Sequence, residues 1–252
     1  MNGFIQVLIR IASSICVLAI LFIGEFTPVN AQNIEHSSWT IAELLNYTEK
    51  FYGSDDVVTN GRAYLPDHYD AKGNPYFLFD NPTQCTLIIN GKKYEKKEIL
   101  YNIDSEKLIL QTLVNNAKIL LVLNNEFIDS FYLNGRHFIN GTKYLPDNKF
   151  PGFIEQVYDG NFTLLTNHKK SFISEYKANT PNGFYSKTKS TNYILNNGEL
   201  KRLPTKKSLF EYFSLYKKEI KNFMSKNRIR YKKADFKQLN TLFEYCDHIS
   251  SN

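Results

Sequence analysis

Five stretches, "LIINGKKY", "FYLNGRHF", "HFINGTKY", "QVYDGNFT" and "ILNNGELK", each set Asn-Gly or Asp-Gly between residues of high β propensity. Such pairs accept the positive φ angles that tight hairpin turns demand, so each predicts a reversal between neighbouring antiparallel strands. Flanking runs fit strands at Tyr76 to Phe79, Cys85 to Ile89, Leu108 to Leu113, Ile119 to Leu123, Phe127 to Leu133, Phe153 to Tyr158, Phe162 to Leu165, Phe172 to Tyr176 and Tyr193 to Leu195. The spacing predicts an antiparallel β-meander, as one or more sheets or a partly closed barrel. The phrases "NGRAYLP" at 60–66 and "NGTKYLP" at 140–146 share five residues. With no similarity around them they read as shared turn chemistry rather than duplication.

Helical periodicity is confined to the ends. Thr40, with Glu43 three residues on, predicts a short N-terminal helix carrying Ile41, Leu44, Leu45 and Tyr47 and stopping at Gly53. After Pro204 and Thr205, "KKSLFEYFSLYKKEIKNFMSKN" predicts one helix, and Asp235 opens a second with Phe236, Leu239, Leu242, Phe243 and Cys246 on one face. The expected fold class is therefore α+β, with this C-terminal helix pair covering a face or edge of the sheet. The β-rich part spans 60–203 and the helical part 205–249, within a single domain of residues 32–252.

Residues 1–31 read as a secretory signal peptide: Arg10, an apolar run from Ile11 to Ile23, and Val29-Asn30-Ala31 before Gln32. The run is too short to span a bilayer, which takes roughly 18 residues or more. Cleavage near Ala31 would leave an exported chain, periplasmic or extracellular, with no transmembrane segment. Of the three cysteines, Cys85 and Cys246 would remain, either bridged or as two buried thiols.

Charge is unevenly spread. Residues 201–252 hold thirteen Lys and Arg against five Asp and Glu, whereas residues 32–200 hold seventeen against nineteen. In "YKKEIKNFMSKNRIRYKK", aromatics interleaved with lysines suggest a nucleic-acid grip, but helical spacing separates the two sets. Phe213, Tyr216, Ile220, Phe223 and Met224 fall toward a core, while Lys217, Lys218, Lys221 and Asn222 fall toward solvent. An exported chain also meets little nucleic acid. The basic helices are thus expected to offer a surface to an envelope protein or another anionic partner.

The runs "NGKKYEKKEILYNID" at 90–104, "FPGFIEQVYDGNFTLL" at 150–165 and the closing "YILNNGELKRLPTKKSLFEYFSLYKKEIKNFMSKNRIRYKK" resemble a group of exported proteins from Bacteroidota. The likeness covers roughly residues 60–245. It implies lineage and export, and it brings no activity, catalytic residue or cofactor.

Signatures of nucleophilic, zinc-hydrolase, phosphate-loop and calcium-loop chemistry are missing from the sequence. Asp67, His68 and Asp70 in "LPDHYD" have metal-ligand or acid-base chemistry but sit in a polar loop pattern. Glu155 and Glu175 lie on expected strands and invite comparison with a glycosidase carboxylate pair, yet outward glutamates are routine on a half-solvated sheet. His36, His137, His168 and His248 are scattered singly. The sequence therefore assigns no catalytic, cofactor-binding or metal residue. It favours a non-catalytic binding protein, ahead of a glycan- or small-ligand-binding protein that uses surface aromatics and of a hydrolase with a site drawn from distant loops.

Overall fold

The computed structural model describes residues 62–251, except 115–116, 146–149, 151 and 176. The expected signal peptide, N-terminal helix, His36 and most of the first "NGRAYLP" turn lie outside the described residues. Eleven antiparallel strands form one open sheet: β1 (Arg62–Ala63), β2 (Thr83–Ile89), β3 (Lys92–Asn102), β4 (Lys107–Val114), β5 (Ala117–Val122), β6 (Ile128–Leu133), β7 (Arg136–Asn140), β8 (Phe153–Asp159), β9 (Thr163–Lys169), β12 (Lys189–Asn196) and β13 (Glu199–Leu203). Between β9 and β12, β10 (Phe172–Ile173) and β11 (Phe184–Tyr185) pair separately as a small hairpin. The sheet order is β1-β5-β4-β3-β2-β6-β7-β8-β9-β12-β13. It departs from a simple meander because β6 returns to pair with β2, and it does not close into a barrel.

Three Asn-Gly pairs form two-residue hairpins with both residues at positive φ: Asn90-Gly91 (49°, 76°), Asn134-Gly135 (52°, 71°) and Asn197-Gly198 (49°, 79°). This is the turn whose twist matches that of the strands it joins. Asp159-Gly160 also lies between paired strands. The fifth pair behaves differently: Asn140 ends β7 and caps a helical turn, α1 (Gly141–Tyr144), its side chain accepting from Thr142 N. Five strands are absent from the sequence reading. β3 is heavily charged and breaks its alternation at Lys96, where φ is 53°, while β1, β7, β11 and β13 are also new. The expected strand Tyr76 to Phe79 does not form; Tyr76 makes only an isolated bridge to Asn102.

Three helices close the chain where two were expected: α2 (Lys206–Tyr212), α3 (Lys217–Lys226) and α4 (Phe236–Ser250). The long predicted helix breaks at Phe213, whose ψ of 49° leads into a 3-10 turn, Ser214–Tyr216. Thr205 and Asp235 cap α2 and α4 with reciprocal side-chain and backbone hydrogen bonds. Phe213, Ile220 and Met224 are buried as the periodicity implied, but Phe223 is only half-buried and stacks on Tyr245 with ring centroids 4.0 Å apart.

The inner face of the sheet carries two apolar clusters. Phe77, Tyr101, Phe131, Phe138 and Phe153 centre the first, and α2–α4 pack Leu209, Ile220, Leu242 and Phe243 over Phe162, Leu164 and Ile194 in the second. Cys85 and Cys246 are both buried free thiols. Burial pushes each thiol's pKa up, Cys246 to about 12, so both stay protonated packing groups. Among the described residues, no helix is long and apolar enough to cross a membrane.

Candidate functional site

Directly opposed residues of antiparallel strands share a face. The registers therefore trace one buried row across eight strands: Tyr94, Leu87, Phe131, Phe138, Glu155, Thr166, Asn192 and Leu203. Its three polar members lie between the two apolar clusters, and a fully buried carboxylate there needs partners. Arg136, two residues before Phe138 on β7, grips both Glu155 oxygens, with Nη2 donating to Oε2 at 2.6 Å and Nε donating to Oε1. His168 Nε2 donates to Glu155 Oε2 at 2.7 Å, and Ser190 Oγ sits 2.8 Å from His168 Nδ1 across the β9–β12 pair. Thr166 Oγ1 donates to Asn192 Oδ1 at 2.9 Å. Phe77 and Phe236 place their rings 4.7 and 5.5 Å from the Arg136 guanidinium, and Phe77 lies 4.7 Å from the His168 ring.

Burial alone would raise the Glu155 carboxyl, but His168 and Arg136 more than reverse this and hold it below its ordinary value. The run Ser190, His168, Glu155 has the order of a nucleophile, a base and an orienting acid. Glu155, however, is already neutralised by the two-pronged arginine, and the Phe77 ring packs against both the Arg136 guanidinium and the His168 ring. The carboxylate is thus satisfied between the two apolar clusters, while Ser190, beyond His168, is exposed.

Of the residues singled out in the sequence, Glu155 and His168 come together and the others scatter. Glu155 points inward, not outward, and does not pair with Glu175, which is exposed and bonded to Lys177 at 3.0 Å. Asp67 and Asp70 are exposed, and His68 stacks on Phe172 at 3.5 Å. His137 stacks on Tyr132 at 4.4 Å, and His248 lies on α4. No group of three or more His, Cys, Asp or Glu that could hold a metal occurs among the described residues. The sequence reading does not single out Arg136 or Ser190, and it names Glu155 and His168 without bringing them together. One signal was present: Glu155 shares the strand parity of Phe153 and Val157, both buried.

The basic C-terminal part presents a second feature. All thirteen Lys and Arg of residues 201–252 are exposed, on edge strand β13, on α2–α4 and on the turn at 226–233. Among the described residues, only Lys207 of these forms an ion pair, with Glu211 at 3.7 Å. Of the five acids, Asp247 is buried and accepts hydrogen bonds from Tyr158 Oη at 2.6 Å and from Asn161 N and Nδ2 at 3.0 and 2.9 Å. That network ties α4 to the β8–β9 turn and removes one negative charge from the surface. No protein-family model, curated protein or solved structure matches the chain.

Proposed function

We propose that this is an exported, non-catalytic binding protein that engages an anionic partner through its basic C-terminal face. The observation that carries the reading is the exposure of thirteen cationic side chains of which only Lys207 has an ion-pair partner among the described residues, and that pair is itself largely solvated. A concentration of one sign of charge attracts the other over about a Debye length, roughly 10 Å at 0.1 M salt. The apolar sides of α2–α4 are spent on the core, so the lysines are left to serve the surface. The hold of Arg136 and His168 on both oxygens of the buried Glu155 supports a structural role for that carboxylate and so favours this reading over a catalytic one.

Retention on a sulfated-polysaccharide matrix, beside a neutral polysaccharide matrix, tests it. The protein should bind the sulfated matrix alone at about 50 mM salt and elute as screening shortens the Debye length. A Lys217→Glu/Lys218→Glu/Lys221→Glu variant should elute at markedly lower salt with an unchanged circular dichroism spectrum. Identical elution of the variant would overturn the proposal.

A further inference from the structure

Away from the basic face, the Lys72–Gly73 segment crosses the end of β11 and the 177–180 turn closes beside it. Lys72 N donates to Gly183 O at 3.1 Å and Tyr185 N to Lys72 O at 2.9 Å, while Lys177 and Thr180 bond each other's backbone. These links enclose a cleft of about 410 Å³, within the roughly 300–1,000 Å³ of small-molecule sites. Phe184 and Tyr185 are the aromatic residues that line it, and Lys72, Lys177 and Lys187 are the basic ones. No Asp or Glu is among the described residues that line it.

The aromatic lining is fixed in place. Gly183 has a φ of 77°, and a Cβ there would come within 2.6 Å of the Phe172 ring and 2.7 Å of Ile173 O, so the turn entering β11 closes this tightly only with glycine. From behind, His68 lies flat on Phe172, which packs edge-on against Tyr185 at 5.6 Å. Burial, with Asp104, Tyr64 and Asp67 on the phenol side, pushes the Tyr185 hydroxyl up to about 12, so the ring is a neutral surface at physiological pH. Lys72 and Lys187 are exposed and have no anionic partner among the described residues. Lys177 shares a solvated pair with Glu175, an interaction weak enough to exchange for a better anion.

We propose that this cleft binds a small organic anion with an apolar body, such as an aromatic carboxylate, the body meeting the aromatic residues of β11 and the charge meeting Lys72 and Lys187. A preformed cleft lined by aromatic residues and lysines and, among the described residues, by no acid is an arrangement that suits such a ligand: apolar contact supplies most of the binding and the cations fix orientation. The site is independent of the basic helical face.

Calorimetric titration of the full protein with 2-naphthoate and with its neutral counterpart 2-naphthylmethanol tests the proposal. Naphthoate should saturate one site and bind about tenfold tighter than the alcohol, the gain expected from two partly solvated ion pairs. Lys72→Gln/Lys187→Gln should lower naphthoate affinity by about the same factor and leave the alcohol unaffected. The Lys217→Glu/Lys218→Glu/Lys221→Glu variant should bind naphthoate as the wild type does, so failure of the basic-face reading and failure of this one are separable. Absence of saturable naphthoate binding, equal affinity for both compounds, or a loss that follows the helix variant instead of the cleft variant would overturn the proposal.

Discussion

Replacing Arg136 by Met removes the guanidinium that neutralises a carboxylate whose side chain is 1% exposed. Both prongs are lost, along with the contacts of the guanidinium with Phe77 and Phe236, while the methionine stem keeps much of the packing. Removing one partner of a buried pair costs about 3–5 kcal/mol, because the remaining charge is left in a poor solvent. His168 stays 2.7 Å from Glu155 and still donates, and Arg136 is 16% exposed, so the lower end, about 3 kcal/mol, is expected. That is a large share of the roughly 5–15 kcal/mol of an ordinary domain. Urea denaturation followed by circular dichroism should show the loss as a lowered midpoint with an unchanged slope. Glu155→Leu, alone and with Arg136→Met, completes the cycle. The double variant should be more stable than the sum of the single losses implies, by about 1–2 kcal/mol or more, because it leaves no unpaired charge. A loss below about 0.5 kcal/mol for Arg136→Met, or strict additivity, would refute the view that Arg136 satisfies this carboxylate between the two apolar clusters.

Three further outcomes follow from the same contacts. Burial raises the Glu106 carboxyl to about 6 against the opposing hydrogen bonds from Tyr101 and Phe153 N, so the folded state holds a proton the unfolded state has released; stability should fall as pH rises from about 4 to about 6, and Glu106→Gln should be more stable than wild type at pH 8 by urea titration, with no advantage near pH 4. Asp247 behaves oppositely: burial alone would raise it, but Tyr158, Asn161 and Ser251 hold it below its ordinary value, so its contribution is complete above about pH 4 and disappears as pH falls through the lower folded value; Asp247→Ala should cost about 2 kcal/mol at pH 7, and the difference should shrink in acid. Ile220→Ala should cost about 2–5 kcal/mol as a fully buried truncation, whereas Phe223→Ala, half-buried and losing mainly its stack on Tyr245, should cost about 1–2 kcal/mol in the same denaturation series.

The turns were legible because their information is local. Asn90-Gly91, Asn134-Gly135 and Asn197-Gly198 carry the positive φ angles in two adjacent residues, and a hairpin follows wherever β formers flank them. The same chemistry at Asn140-Gly141 was ambiguous, since Asn also caps helices, and there the side chain bonds Thr142 N instead. The break after Tyr212 was hidden because "SLY" continues the apolar period that a helix would show. β3 was obscured by its lysines, which its exposed end presents to solvent, and by the irregularity at Lys96. The polar cluster could not be read in one dimension. Arg136, Glu155, His168 and Ser190 come from four strands, separated by 19, 13 and 22 residues, and only the sheet register brings them together. Glu155 reads as outward by the general rule that glutamates of a half-solvated sheet face water, a rule that β8, buried at Phe153, Val157 and Ile154, does not follow.

Lysine footprinting tests the proposed basic face most directly. The protein is acetylated with and without a sulfated polysaccharide, and the modification of each exposed lysine is read by mass spectrometry. Lys217, Lys218, Lys221, Lys232 and Lys233 should lose reactivity when the polymer is present and regain it at high salt, while Lys118 and Lys189, also exposed but outside the helical part, should keep theirs. Equal protection of all exposed lysines, or protection centred on Lys118 and Lys189, would contradict the account.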